Sequence, residues 1–439
     1  MVDVRQNGEL TSNIMKTVSE TSAWTSPSFR SLWRASALSV TGSEIGEIAI
    51  PVLALLTLGA TATDLSWIRV ALFLPFLLCT LPLGALVERR PRRGLMLIAD
   101  LVRGVLLLAI AGLAIAGILT VPTLIVLVAI VGTCTVLYTL ADFSYLPQVL
   151  TTQQLPDGNA RLTATQSALG IAGQGLGGGL VQAITAPFAL LVNGLTYLGS
   201  AFFLRRIRQV EEPAKGTRGT SERGPWAGMR ALWREHRVRA LAAEATIWNF
   251  GNEVLMLSLT ILIIRTYSLG PLTLGVILMV GGFGAFVGSA LSAKLTRAIG
   301  YGPGLLLALS VGNSAPLAVI VLTDDSMWRV TVLAVAFLIS GLGLGVANSQ
   351  AVTVRQLSVP EHERARVNAA YRFLSWGALA LGALGAGALI NLLGTYHSAI
   401  VGAVIMALAG IPVALSPVRH MRSTIEPTHD PTTTAQRGH

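Results

Sequence analysis

The sequence predicts an all-α polytopic membrane protein with twelve transmembrane helices in two pseudo-symmetric six-helix lobes. Three observations carry that reading. Of 439 residues, 52% are hydrophobic and only 12% charged, about half the charged share of a soluble domain. Apolar runs of about 20 residues recur along nearly the whole chain, each long enough to cross a bilayer as a helix. These runs are continuous rather than alternating, so helices and not barrel strands satisfy their backbone in hydrocarbon.

The elements follow in order. Residues 1–33 are polar and rich in Ser and Thr, and read as an N-terminal tail. Spans 1 to 6 are expected near 35–58, 65–87, 94–117, 121–143, 161–183 and 187–204, forming a lobe over 34–204. Residues 205–239 form a basic linker containing Pro213, Lys215, Gly216 and Gly219, with a surface helix expected around Trp226 to His236. Spans 7 to 12 are expected near 240–264, 272–295, 303–322, 328–354, 366–390 and 396–416, a second lobe over 240–417 followed by a polar tail, 418–439.

The two halves echo one another. Gly42-Ser43-Glu44 in span 1 matches Gly251-Asn252-Glu253 in span 7, a shift of 209 residues. Pro156-Asp157 after span 4 matches Pro360-Glu361 after span 10, a shift of 204. Six spans, a basic linker and six related spans suggest a transporter with its site between two lobes.

An even number of spans puts both termini on one side. Of the 32 Lys and Arg, all but Arg69, Arg265 and Arg329 lie in the tails, the even-numbered loops or the helix ends beside them. That asymmetry sets the termini and the linker in the cytoplasm, with the chain multi-pass in the plasma (inner) membrane. Topology therefore explains the net charge of +10, and no nucleic-acid partner is expected. Cys79 and Cys134 fall inside spans and imply no disulfide framework. The first 30 residues lack the apolar core of a cleaved leader.

Other classes lack their signatures. No His-Glu-x-x-His or Gly-x-Ser-x-Gly occurs, and Lys16, Lys215 and Lys294, the only lysines, do not follow a glycine as a phosphate-binding loop requires. The chain is expected not to be an enzyme, to need no cofactor or metal, and to draw on an ion gradient. Its expected partners are a small-molecule substrate and membrane lipids, and it is expected to act as a monomer.

Polar residues inside spans are the candidate site, because an intramembrane ionisable group is costly and normally faces a cavity or a partner. Glu44 and Glu47 lie three apart on one face of span 1, Glu253 lies in span 7 and Asp142 near the end of span 4. Such carboxylates suit proton carriage or a cationic substrate. Asn249, Asn252 and Glu253 share one side of span 7, and Asn348 and Gln350 place amides in span 10. Glycines crowd span 5 (Gly170, Gly173, Gly175, Gly177, Gly178, Gly179) and span 8 (Gly281, Gly282, Gly284, Gly288), as in a seam where backbones approach closely. Asp324 and Asp325 read as solvated loop charges, and Trp67, Trp328 and Tyr301 as interfacial belt residues.

The most specific stretch is the turn between spans 2 and 3: Gly84, Glu88, Arg89, Arg90, Pro91, Arg92 and Arg93, with Asp100 and Arg103 following. It resembles the signature of the major facilitator superfamily, Gly-x-x-x-Asp-Arg followed by further basic residues, with Glu88 where that family has Asp. Gly173-Gln174-Gly175-Leu176-Gly177-Gly178 is similar to that superfamily's antiporter signature Gly-Pro-x-x-Gly-Gly, with Gln174 in the Pro position. The resemblance covers about Phe29 to Pro417, and the entry Phe29 to Trp33 is similar to the branch of macrolide and siderophore exporters. It implies the major facilitator fold, alternating access and export of a small amphiphilic drug, antibiotic or natural product in exchange for protons. It also implies a cytoplasmic gate at Gly84, Glu88, Arg89, Arg92, Asp100 and Arg103. An importer or uniporter of the same fold is the alternative; a transporter-like sensor or an embedded enzyme ranks below it.

Overall fold

The computed structural model describes residues 22–207 and 227–421, so residues 1–21, 208–226 and 422–439 lie outside the described residues. Span 1 is the helix Pro27–Val52, started by Ser26, whose Oγ accepts from the Phe29 N–H at 3.2 Å, with Pro27 in the first turn. Span 2 starts at Ala62 under a reciprocal cap, Thr61 Oγ1 taking the Asp64 N–H and Asp64 taking that of Thr61. It is not the single helix the sequence suggests. It ends at Leu78 and resumes as Thr80–Arg89, because Pro82 has no N–H to offer the Leu78 carbonyl one turn back.

Spans 3 and 4 are Arg92–Ile115 and Val121–Val149. Spans 5 and 6 form one run, Leu155–Arg206, interrupted at Thr185, where φ is 70° and ψ 162°. The chain doubles back there: Gly173 and Gly177 rise along span 1 from Glu44 to Ile45, whereas Asn193 and Thr196 descend it from Gly46 to Gly42. The second half contains His236–Ile261, Pro271–Ile299, Tyr301–Ser314 with its extension Ala315–Val321, Met327–Ser358, Glu361–Leu393 and Thr395–Leu408. These are spans 7 to 12. Ten helices among the described residues are long and apolar enough to cross a membrane. The doubled-back run counts once among them and the broken span 2 not at all, which accounts for twelve spans.

The internal repeat extends to backbone detail. Spans 1 and 7 both end in a five-residue π turn, Leu53–Thr57 and Leu262–Thr266. Leu58 N–H bonds the Leu53 carbonyl at 3.1 Å and Tyr267 N–H that of Leu262 at 2.8 Å. Each turn is closed by a residue with positive φ, Gly59 (63°) and Ser268 (52°). All these pairs are shifted by the same 209 residues as Glu44 and Glu253. The tight contact of Gly42 with Asn193 likewise recurs as Gly251 with Gly402.

Within the lobes, span 1 packs on spans 5 and 6, span 7 on spans 11 and 12, and span 8 on span 10. Between them, span 2 packs on span 11 and span 5 on span 8. Among the described residues the apolar core is continuous across the lobes only at the end away from the chain termini, where Ile48, Leu53 and Leu65 share a cluster with Leu255, Leu262 and Ile390. At the terminus-bearing end the N-terminal lobe has its own cluster around Phe29 and Tyr145, and the C-terminal lobe two others around Leu305 and Val238. The two lobes thus close against each other at one end and part towards the other.

Candidate functional site

The closed end is held by one arginine. Arg69 of span 2 is 8% exposed and Glu253 of span 7 is 1% exposed. Arg69 Nε donates to Glu253 Oε1 at 2.6 Å and its NH2 to Oε2 at 3.0 Å, a two-pronged contact across the lobe boundary. Its NH1 donates to Glu47 Oε1 of span 1 at 2.6 Å, and its guanidinium lies 4.8 Å from the centre of the Phe73 ring. One guanidinium therefore faces two carboxylates, so the cluster carries an excess negative charge when both are ionised.

In the charge count along the sequence Arg69 falls with Arg265 and Arg329 on the side opposite the termini. The structure sets it deeper: the helix begins at Ala62, and seven residues carry Arg69 about 10 Å inward. The signal was its place inside an apolar run, the same signal that selected the glutamates. Three polar contacts support the closure: Ser66 Oγ donates to the Ala383 carbonyl at 2.6 Å, Asn391 Nδ2 to Thr63 Oγ1 at 2.9 Å, and Arg265 NH1 to the Ala60 carbonyl at 2.9 Å.

Glu44 stays outside this cluster, although it is one turn from Glu47. It lies beside Gln174 and in a niche of span 5, where a Cβ on Gly173 would stand 2.7 Å from its own Cβ. The glycine motif works on two faces. Gly173 and Gly177 receive span 1, and a Cβ on Gly177 would be 3.2 Å from the Ile45 Cα. Gly178 meets span 8 of the other lobe, where a Cβ would lie 2.6 Å from the Pro271 carbonyl and 3.1 Å from the Gly275 Cα. The seam's partner is thus Gly275. Of the span 8 glycines singled out in the sequence, Gly282 faces Ile171 of span 5, while Gly281, Gly284 and Gly288 pack on span 10 within their own lobe.

A cavity of ≈ 230 Å³ lies in the C-terminal lobe on the terminus-bearing side of the Arg69 cluster, among spans 7, 9, 10 and 11. Its polar lining is Glu244, Asn249, Asn313, Asn348 and Ser375, and its aromatic walls are Trp248, Tyr371 and Trp376. Asn313 Nδ2 donates to Glu244 Oε1 at 3.4 Å, and Trp248 Nε1 is buried with no acceptor among the described residues. The Arg355 guanidinium stands 3.9 Å from the centre of the Tyr371 ring. The cavity can take a positive or hydrogen-donating group at Glu244, an acceptor at Trp248 and apolar surface on its rings. Glu244 was missed because it follows the charged linker closely; two turns into span 7 it is an intramembrane acid like the others.

The remaining candidates separate. Asn249 lines the cavity, its Nδ2 bonded back to the Ala245 carbonyl, and Asn252 is half-buried one residue before Glu253. Gln350 is buried between helices, its Nε2 donating to Thr296 Oγ1 at 2.9 Å and its main-chain carbonyl accepting from the Tyr301 hydroxyl, so it binds spans 8, 9 and 10 together and does not line the cavity. Tyr301 is accordingly buried, not a belt residue. Asp324 in the loop before span 10 accepts from the Ser326 N–H and pairs with Arg329 at 3.2 Å; Ser326 first and Arg329 after it hold this carboxyl below its ordinary range.

Asp100 and Arg103 are buried partners of each other in the N-terminal lobe. Ser200 Oγ donates to Asp100 Oδ2 at 2.5 Å, and the Arg103 guanidinium lies 4.2 Å from the Tyr197 ring and 4.7 Å from the Tyr138 ring. Asp142 sits beside this group, near Asp100 and Tyr138, and not with Glu44 or Glu253. In the turn itself Gly84 has open space around it, Arg89 is exposed, Arg92 opens span 3 and Arg93 bonds the Leu204 and Arg205 carbonyls that end span 6. The Glu88 side chain lies outside the described residues.

A sequence model of the family described as "Transmembrane secretion effector" matches residues 18–436. The chain belongs to this family of major facilitator-type transporters. No curated protein sequence matches it. Among solved structures the transporter is similar to a bacterial homologue of the human lysosomal transporter Spinster (15% identity, 89% of this chain and 97% of that one, TM-score 0.67). It is also similar to the nucleoside transporter NupG (10%, 88% and 98%, 0.66). A bacterial homologue of the iron transporter ferroportin is similar in its inward-facing state (15%, 88% and 98%, 0.69) and less so in its outward-facing state (16%, 88% and 98%, 0.58). At such identities the likeness is one of fold. The chain is a multi-pass secondary transporter with the major facilitator fold, and its family and fold are those of transporters rather than enzymes.

Proposed function

We propose that this transporter exports a small amphiphilic molecule by alternating access, in exchange for protons, from a plasma membrane in which both termini are cytoplasmic. The Arg69–Glu253 pair carries this reading. It ties the lobes together at the end away from the termini, while the cavity at Glu244 lies on the terminus-bearing side, where the lobes part. With the termini in the cytoplasm, that arrangement is open to the inside. The better match to the inward-facing than to the outward-facing state of the ferroportin homologue supports the same assignment, and the family's description as secretion effectors supports the outward direction.

In this reading substrate enters from the cytoplasm or the inner leaflet and lodges against Glu244, Trp248 and Trp376. Opening to the outside requires Arg69 to release Glu253. The excess carboxylate of the Arg69 cluster is the group on which a proton from outside restores charge balance. Glu47, whose side chain is 38% exposed, is the more accessible member, because Glu253 is buried in the two-pronged contact. Arg69 then returns fully to Glu253 and the outer end closes. The seam of Gly178 on Gly275 lets the lobes rock with little side chain in the way.

The test is efflux of a panel of amphiphilic dyes and antibiotics from energised cells. Uncoupler-sensitive efflux that Glu47→Gln abolishes without loss of expression supports the reading. Net accumulation of any panel member assigns the chain to importers, and efflux indifferent to both uncoupler and Glu47→Gln removes the proton from the cycle.

A further inference from the structure

A groove of ≈ 560 Å³ opens on the flank of the C-terminal lobe at its terminus-bearing end, apart from the cavity described above. Its rim is built by the short helix Ala227–Arg234. That helix is anchored to the lobe by Leu232, fully buried against Val238, Val359 and Val367, and by Gly228, where a Cβ would stand 2.4 Å from the Arg366 carbonyl. Its other face leaves Trp233 54% exposed and Arg230 and Arg234 exposed beside it.

The groove has two unlike parts. Its mouth is Trp233, His236 and Arg239, with Arg239 NH1 donating to the Trp233 carbonyl at 3.4 Å. Its floor is Ala240, Ala243, Ile247 and Pro412, with the exposed Leu415 at its edge. From Arg239 to Ile247 span 7 rises about 12 Å. The mouth thus lies in the first turn of a membrane helix, at headgroup level, and the floor runs into the hydrocarbon. Arg419 stands exposed at the end of the chain segment that follows span 12.

We infer that this groove binds one anionic phospholipid, its phosphate at His236 and Arg239 and one acyl chain along the floor. The charge on the mouth selects the headgroup: basic side chains at a membrane surface attract acidic lipids, and a guanidinium pairs with phosphate in a fork that a neutral surface lacks. The apolar floor selects a lipid over free phosphate, and Trp233 sits where an interfacial indole is at home. The occupied groove would fasten the linker helix to the lobe that it flanks.

The full-length protein in nanodiscs of equal phosphatidylglycerol and phosphatidylcholine, released into mild detergent, tests this by native mass spectrometry. The expected result is one phosphatidylglycerol retained per chain in preference to phosphatidylcholine. Arg239→Gln lowers that retention about fivefold, the weight of one arginine at a membrane surface. Arg90→Gln, an exposed arginine in the turn between spans 2 and 3, leaves it unchanged. Ala243→Phe fills the floor without touching charge and expels the lipid as well. Equal retention of both headgroups, equal losses in the Arg239 and Arg90 variants, or no lipid on the folded wild-type protein overturns the proposal.

Discussion

Arg69 and Glu253 are 184 residues apart in the chain and form a buried two-pronged ion pair at 2.6 and 3.0 Å that joins one lobe to the other. A guanidinium presents a planar fork that matches a carboxylate, which an ammonium does not. Removing the arginine leaves a 1% exposed carboxylate without its partner, which costs about 3–5 kcal/mol. Arg69→Ala is expected to loosen the closed end, read as faster labelling of a cysteine placed at Thr63 or Ser66. Arg69→Lys keeps the charge and loses the fork, so its labelling falls between that of Arg69→Ala and the parent. Labelling unchanged in both would remove the pair from the closure.

A double-mutant cycle separates the two carboxylates. Residues in direct contact couple by about 0.5–3 kcal/mol. Arg69 with Glu253 is expected near the upper end of that range and Arg69 with Glu47 near the lower, since the half-exposed Glu47 keeps some hydration when its partner is removed. Thermal unfolding in detergent measures both cycles. A larger coupling for Glu47 would reverse the roles proposed for the two acids.

The seam between spans 5 and 8 is set by the absence of side chains. Gly178→Val would push a branched side chain into the Pro271 carbonyl, 2.6 Å from where its Cβ would stand, with backbone on both sides and no room to yield. Transport should fall at least tenfold, with the protein still inserted. Gly84→Ala meets nothing within 4 Å and should be nearly silent, despite the place of Gly84 in the superfamily signature. Rates of uptake or efflux in reconstituted vesicles check both, and normal transport by the Gly178 variant would mean the lobes do not close along this seam.

Glu244 and Trp248 make the cavity selective. A hydrogen bond to a charged group contributes about 1.5–3 kcal/mol, so Glu244→Gln should weaken binding of an amine-bearing substrate at least about tenfold. Trp248→Phe keeps the aromatic wall and removes one donor, and should cost less. Binding by fluorescence quenching or calorimetry measures each. Equal affinity in the Glu244 variant would place the substrate elsewhere.

Asp100 and Arg103 predict a structural effect instead. Both are buried inside one lobe with Ser200, Tyr138 and Tyr197 around them. Asp100→Asn leaves Arg103 without its counter-charge and is expected to lower stability by about 3–5 kcal/mol, seen as poor expression and a lower unfolding temperature. Transport per folded molecule should hold. A well-folded variant with lost coupling would instead return these residues to the gate that the resemblance implies.

The sequence by itself determined the class of the molecule, the places of its spans and the repeat that relates its halves. These are local properties. Hydrocarbon thickness sets the length of an apolar run, and a backbone without water must bond within its own helix. The shift of 209 residues between Glu44 and Glu253 was legible for the same reason, and the π turns at Leu53 and Leu262 repeat it. Only the tertiary structure decided which face each helix presents. Glu44 and Glu47 are one turn apart in the sequence, yet one rests against Gly173 and the other reaches Arg69. Gly173 and Gly178 belong to one motif, yet they receive different helices from different lobes. Gln350, chosen for its polarity, turned out to bind helix to helix, and Glu244, passed over beside the linker, lines the cavity. The physical reason is common to all of them. In lipid a helix gains nothing by turning one apolar face rather than another, so its rotation is settled by close packing and by the pairing of a few costly charges. Those partners are distant in the chain, and no period or spacing along it records them.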